Sequence, residues 1–312
     1  MRARLTTIAA AAVVMTGVAL VLASGGAGAA EQIPRPPADN YIPWPSVLPG
    51  REVGPAGPPR GLRGCPKLQL ACADRLVARM RKRYLAEDAS CDHRVIFSLG
   101  YLRITNEIRR RLRAHESFVN PRWFIGVVQG FSNLYFQAGR RYDRGDEVPE
   151  AWRIYYEAMD SGDFNAGQDL LLASNAHVNH DLPYAYAAAG LLTRDGVSRK
   201  HDHDEVNDVN ATVYERIAAA YANHYDPFFS LTNLAHPFDQ LSLSQVVQGW
   251  REDAWRQAER LVSARSKAEL QKVQRDIEQT SARYARMITL GSEPGHREVR
   301  DEFCADNNVA SG

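Results

Sequence analysis

The chain has 312 residues, of which 45% are hydrophobic and 24% charged, as in an ordinary globular protein. Its 38 Lys and Arg residues nearly balance its 37 Asp and Glu residues, so the formal net charge is only +1. This composition excludes a multipass membrane protein, a collagen-like chain and a wholly disordered chain. The near-neutral balance also gives no support to nucleic-acid binding.

The first residues have the features of an export signal. Arg2 and Arg4 form a basic start, residues 5–23 are almost all apolar or small, and Ala27-Gly28-Ala29 suits a signal peptidase. We expect residues 1–29 to be a cleaved signal peptide. The mature protein is then secreted, with no stable membrane insertion after cleavage.

A proline-rich segment follows the signal. Nine of the sixteen prolines lie between Pro34 and Pro59. Such a composition favours extended polyproline conformations over helix or sheet, so we interpret residues 30–64 as a linker. Within it, Ile42-Pro43-Trp44-Pro45 fits either docking on a partner or a strap lying across its own domain.

The four cysteines, Cys65, Cys72, Cys91 and Cys304, all follow the signal. An even number of cysteines in an exported chain predicts disulfides rather than a metal site. Three pairings are possible, and a bridge from Cys304 to the N-terminal region would fix the end of the chain. The absence of a CxxC motif disfavours a redox or zinc-ribbon function.

From Cys65 onward the apolar residues recur at helical spacing nearly everywhere. After two helices before residue 114, the pattern predicts further helices at roughly 121–142, 149–160, 165–178, 183–193, 205–224, 242–263 and 266–289. We therefore predict a single all-α domain of about nine helices over residues 65–290. A polar C-terminal tail follows at 291–312.

No familiar nucleophile or phosphate-binding motif is present. The chain lacks GxSxG, HExxH and a P-loop, which removes the most easily recognised enzyme classes. Two segments are instead dense in His, Asp and Asn: residues 175–183 and residues 201–208. Within them, His180 and His201 are expected at the surface.

The spacing within these polar segments suggests a metal site. His177 and Asp181 are four residues apart, as are Asp204 and Asp208, so on helices each pair projects from one face. Helical bundles assemble metal sites from such pairs, and imidazole with carboxylate suits Zn²⁺, Mn²⁺ or Fe. We predict a divalent ion, zinc being one candidate, bound by His177, Asp181 and Asp204 together with Asp208 or His203. His177, Asp181 and Asp204 are the predicted catalytic residues.

A second interpretation needs no chemistry. Asp181, with Pro183 two residues later, is typical of a helix N-cap, and Asp202 or Asp204 could cap the helix expected near Glu205. Hydrogen bonds from the polar side chains around residue 177 would then join two helices at a corner.

The polar core also carries a family resemblance. The segments that carry it are Asn175-Ala176-His177-Val178-Asn179-His180-Asp181-Leu182, Gln168 to Leu172, Ala151-Trp152-Arg153, Asp202 to Asn207, and Arg251-Glu252-Asp253-Ala254-Trp255-Arg256. Together they resemble an uncharacterised bacterial helical family, domain of unknown function 5995, over roughly residues 95–265. The resemblance implies one all-helical domain and no established activity. It draws attention to His177, Asn179, Asp181, Asp204, Asn207 and Trp255.

Two functions from different classes remain open. One is a secreted metal-dependent hydrolase, in which the ion activates water against an ester or phosphoester. The other is a secreted interaction or signalling protein with a disulfide-stabilised helical scaffold and no catalysis. Its partner would be a small molecule or an extracellular protein.

Overall fold

The computed structural model describes residues 42–48, 50, 51, 53, 65–229, 237–291 and 295–307, with side chains from 244 onward in the helix that begins at Pro237. These residues form ten α-helices of eight residues or more and no strand, so the predicted all-α class is confirmed. The predicted signal peptide lies outside the described residues. Within them, no helix is both long and apolar enough to cross a bilayer.

The helices, in chain order, are α1 Trp44–Val47, α2 Leu70–Asp88, α3 Val95–Ala114, α4 Pro121–Tyr142, α5 Glu150–Ser161, α6 Ala166–Ser174, α7 Leu182–Ala189, α8 Lys200–His224, α9 Pro237–Ser263, α10 Lys267–Ile288 and α11 His296–Asn307. A π-helix, Asn175–Asp181, joins α6 directly to α7.

Several helix ends have plain local causes. Pro121 begins α4, where its missing amide is harmless because the first turn has no partner for it. Gly162 ends α5 in the left-handed conformation, with a φ of 70°. Asn165 and Gln168 then form a reciprocal capping box that begins α6.

Both disulfides are intramolecular and use all four cysteines. Cys65 pairs with Cys72, and Cys91 pairs with Cys304. The predicted oxidation in pairs is therefore confirmed. The second bridge fastens α11, a helix within the polar C-terminal segment, to the loop between α2 and α3.

The described part of the proline-rich segment lies along α9. Trp44 is buried there, the backbone amide of Ile42 donates to Gln245, and the amide of Arg51 donates to Glu259. Arg256 in turn donates to the carbonyl of Leu48 at 2.7 Å. The described residues of this segment, 42–48, 50, 51 and 53, therefore act as a strap on their own domain.

The core is rich in aromatic side chains, and the π-helix lies at its centre. This short element contacts α4, α5, α9 and α10 in addition to its chain neighbours α6 and α7. The polar motif that dominates the sequence is therefore placed in the interior and not in a surface corner.

Candidate functional site

The polar motif forms a π-helix, in which the backbone amide of Leu182 bonds to the carbonyl of His177, five residues earlier. Pro183 provides a physical reason. It has no amide to donate, and in a regular α-helix its ring would crowd the carbonyl of Asn179, four residues earlier. A wider turn relieves this contact. Such π-helical turns are rare and often occur at functional sites.

Asp181 is the centre of the buried polar network. Its Oδ2 accepts from Trp152 Nε1 at 3.0 Å and from His177 Nδ1 at 3.0 Å, and its Oδ1 accepts from His180 Nδ1 at 2.8 Å. Burial acts to raise the pKa of Asp181, but the hydrogen bonds from the two histidines outweigh it, and the pKa is lowered. Asp181 is therefore an ionised acceptor.

His180 extends this network to a distant helix. Its Nε2 lies 3.0 Å from Glu278 Oε2 on α10. Burial acts to lower the pKa of His180, but Asp181 and Glu278 on either side raise it to about 9. The imidazole is therefore charged at neutral pH and bridges two carboxylates. The expectation of a surface position was wrong, since its side chain is only 12% exposed.

His177 has the opposite charge state. Burial lowers its pKa, and the hydrogen bond to Asp181 offsets this only in part, so the ring is neutral at pH 7. Because ionised Asp181 can only accept, the single ring proton of His177 must lie on Nδ1. Nε2 then carries the lone pair.

The Nε2 atom of His177 is buried and has no hydrogen-bond partner among the described residues. The residue is 2% exposed. The rings that surround it are those of Phe97, Tyr101, Phe131, Tyr135 and Trp152, with centroids 3.4 to 5.8 Å away. A basic nitrogen thus faces an aromatic chamber.

The other two predicted ligands lie elsewhere. Asp204 is half-exposed and pairs with Lys200 at 2.7 Å, whereas Asp208 is 66% exposed and pairs with Arg111 at 2.8 Å. Both stand on α8, and neither joins the buried pair of His177 and Asp181. The expected set of four does not form one group, so binding of a divalent ion stays a prediction.

The described residues do contain one group of three potential metal ligands: His203, Asp204 and Glu252, whose ligand atoms all lie within 4.8 Å of one another. Lys200 Nζ lies 2.7 Å from oxygens of both Asp204 and Glu252. Arg256 also pairs with Glu252. These carboxylates are therefore already neutralised by cationic side chains, which competes with binding of an ion.

Three residues of the motif segments, Asn207, Arg251 and Trp255, support this second cluster. Arg251 Nε donates to Asn207 Oδ1 at 2.8 Å, and the ring of Trp255 lies 5.2 Å from that of His203. Trp255 Nε1 donates to Glu259. The first two contacts join α8 to α9, and the third lies within α9.

The capping interpretation was wrong for both aspartates that it named first. Asp181 makes no capping hydrogen bond, because the π-helix continues into α7 without a free helix end. Asp202 lies inside α8 and accepts from the amides of Val119 and Asn120, each at 2.7 Å. It fixes the loop before α4 rather than the start of its own helix.

The asparagines of the motif fasten the π-helix to α10. Asn179 Nδ2 donates to Asn175 Oδ1 at 2.9 Å, and Asn175 Nδ2 donates to the carbonyl of Ser281 at 2.8 Å. The expected corner is absent here, since the chain runs on continuously. These residues hold the backbone that presents His177.

A family comparison covers most of the domain. The model of a family of unknown function, DUF5995, matches residues 73–291. The chain belongs to this family. The match is longer at both ends than the resemblance read from the motifs, and it includes the π-helix, the strand-free core and Glu278. Comparison with the curated proteins and with the solved structures finds no match to this chain.

Proposed function

We propose that this family member is an exported hydrolase whose general base is His177, oriented by Asp181. The observation that carries the proposal is the state of one imidazole: Nδ1 is tied to an ionised carboxylate, while Nε2 is buried and unpartnered. Perturbed titratable groups of this kind cluster at functional sites.

The chemistry follows from these two residues. His177 Nε2 takes a proton from a water molecule as that water attacks an ester carbonyl, and Asp181 stabilises the imidazolium that forms. The imidazolium then gives the proton to the alcohol oxygen as the ester C–O bond of the tetrahedral intermediate breaks, which releases the carboxylic acid and the alcohol. The lowered pKa of His177 keeps the base unprotonated at neutral pH. The surrounding rings exclude bulk water and favour an apolar acyl group.

Substrate access requires a side chain to move. Phe131 covers one face of His177, with the two rings stacked at 3.4 Å, and it is only partly buried. Rotation of this one ring would expose the imidazole without unfolding a helix. We propose that Phe131 moves when substrate enters.

Export is part of the proposal. The signal-like N-terminus and the two disulfides suit an oxidising compartment. N-terminal sequencing of protein from the culture supernatant should give Ala30 or Glu31. Intact Met1 in a purely cytoplasmic protein would contradict it.

A non-catalytic scaffold is the second candidate, and one observation favours it: Trp152, His177 and His180 between them give both oxygens of Asp181 a hydrogen-bond donor, as in a purely structural network. In that case His177 stabilises the π-helix and performs no reaction.

Activity measurements separate the two. Purified mature protein is assayed on nitrophenyl esters of increasing acyl length and on nitrophenyl phosphoesters. His177→Gln should lower ester turnover by about 10²-fold or more. His201→Gln, at an exposed position on α8, is the matched control and should leave turnover unchanged. Turnover that survives His177→Gln in a folded variant would refute the enzyme proposal, and no turnover on any substrate would favour the scaffold.

A further inference from the structure

Two histidines of the π-helix contact the same buried carboxylate. His177 Nδ1 lies 3.0 Å from Asp181 Oδ2, and His180 Nδ1 lies 2.8 Å from Asp181 Oδ1. One ionised carboxylate stabilises a proton on either ring, so Asp181 alone does not determine which of the two histidines is charged. The contacts of the other ring nitrogens must determine it.

The two rings differ at Nε2. His180 Nε2 lies 3.0 Å from Glu278 Oε2, whereas His177 Nε2 is buried and has no hydrogen-bond partner among the described residues. A charged imidazole donates from both ring nitrogens and so needs two acceptors. His180 has both acceptors, and each is a carboxylate. The extra proton therefore belongs on His180, and Glu278 makes the difference.

Glu278 is fixed in this position. Its Oε1 accepts from the backbone amide of Glu150, the first residue of α5, at 2.8 Å. Its side chain is 38% exposed, so water solvates the carboxylate at the outer end of the network. In the part of the chain that the structure describes, no lysine or arginine forms an ion pair with Asp181 or Glu278. The positive charge between them is that of His180.

The other titratable groups that face the two histidines are phenols. Tyr184, on α7, has its ring 5.5 Å from that of His180, and burial, followed by the nearby carboxylates, raises its pKa to about 12. Tyr101 and Tyr135 face His177, and burial raises the pKa of both. These phenols are neutral at pH 7, so they do not replace the charge of Glu278.

The proton on His180 acts on His177 through Asp181. When a charged His180 balances the carboxylate, less of the negative charge remains to stabilise a proton on His177. Burial lowers the pKa of both histidines, but Asp181 and Glu278 raise that of His180 to about 9. The positive charge of His180 in turn helps to lower the pKa of His177.

We propose that Glu278 is a positioning residue for His177: it holds a proton on His180 Nε2 and so keeps His177 Nε2 free to accept a proton from water. The part of this role that concerns turnover rests on the proposed function. The effect of Glu278 on the two imidazoles does not require His177 to be catalytic.

The experiment compares the mature protein with Glu278→Gln, which removes the charge and keeps the shape of the side chain. Protein labelled with ¹⁵N at histidine is titrated from pH 5 to 10 by NMR, with signals assigned from His177→Gln and His180→Gln. In Glu278→Gln we expect the pKa of His180 to fall by about 1 or more and that of His177 to rise by about 0.5 or more. Glu269→Gln removes a charge from the exposed first turn of α10 and should leave both values as in the parent.

Turnover of a nitrophenyl ester gives a second readout. The acid limb of the pH profile of kcat/KM should move to higher pH in Glu278→Gln, by as much as the pKa of His177 rises, because the base is protonated earlier. Absence of turnover in every form of the protein would refute the proposed function, and the NMR titration would still test the role of Glu278.

An unchanged pKa of His177 in Glu278→Gln would overturn the proposal. A parent protein in which His177 takes up its proton before His180 as the pH falls would overturn it too. This second result needs no variant, so it applies even if Glu278→Gln does not fold.

Discussion

Phe131 stacks on His177 with the two ring planes only 6° apart and the centroids separated by 3.4 Å. The relationship matters because Phe131 is the partly buried member of the aromatic chamber that covers a face of the imidazole. Under the proposed function, movement of this ring is what admits substrate to the imidazole.

Truncation of this ring should expose the base. In Phe131→Ala we expect diethyl pyrocarbonate, which reacts with unprotonated imidazole nitrogen, to modify His177 several-fold faster than in the parent, as followed by peptide mass spectrometry. The lost packing should cost about 2 to 4 kcal/mol of stability. Phe118→Ala, which disrupts a separate stacked pair with Phe124, is the control. Equal modification rates in the parent and in Phe131→Ala would show that Phe131 does not cover the reactive nitrogen.

The charged state of His180 predicts a loss of stability in alkali. The pKa of His180 is raised from 6.5 to about 9 in the folded protein. Its contribution to the free energy of unfolding is therefore complete below pH 6.5 and is lost as the pH rises through 9. The shift corresponds to roughly 3 kcal/mol. Urea unfolding at a series of pH values should show this fall in the parent.

The matching variant is His180→Asn. In this variant the fall in the free energy of unfolding between pH 6.5 and 9 should be largely absent. His201→Asn changes an exposed histidine and should keep the decline. A parent protein with constant stability across this range would contradict the assigned bridge between Asp181 and Glu278.

The helices were predictable because their signals are local. Pro121 and the apolar spacing gave the bounds of α4, and the even cysteine count predicted oxidation although not the pairing of Cys91 with Cys304. The π-helix was not predictable from spacing, because a four-residue interval was interpreted with α-helical geometry.

The rest of the site depends on tertiary contacts. Glu278 reaches His180 from α10, nearly a hundred residues later, and nothing in the local sequence marks it as a partner. Glu252 likewise lies close to His203 from another helix. Glu252 stands in a segment that carries the family resemblance, but the sequence does not show which residue it contacts. Asp208 was predicted as a metal ligand because it lies four residues after Asp204. In the structure it instead forms an ion pair with Arg111, on another helix.

The two disulfides should differ in their effect on stability. Cys91–Cys304 spans 213 residues and Cys65–Cys72 spans seven, so the chain-entropy model gives about 5 kcal/mol for the first and about 2 kcal/mol for the second. Urea unfolding of the two double Cys→Ser variants tests this order. Alkylation of the parent without reductant should modify no cysteine, and four reactive thiols in freshly exported protein would contradict the pairing.

The strap should be held mainly by its tryptophan. Trp44 is buried against α9, where the missing side chain of Gly249 leaves room for its ring: a Cβ there would lie 2.8 Å from Trp44 Cζ2. We expect Trp44→Ala to cost about 3 kcal/mol and to expose residues 42–53 to limited proteolysis. Val47→Ala, at an exposed position of α1, should behave as the parent. Unchanged proteolysis of Trp44→Ala would mean that the strap is held by its hydrogen bonds alone.

The most direct test of the central claim is the ¹⁵N NMR spectrum of His177 in protein labelled at histidine, recorded from pH 5 to 9 and assigned by the signal lost in His177→Gln. The account predicts a neutral ring with its proton on Nδ1 and a bare Nε2 at neutral pH, persisting below the pH at which an ordinary histidine is half protonated, because burial lowers the pKa of His177. A proton on Nε2 at neutral pH, in either the neutral or the charged ring, would contradict it.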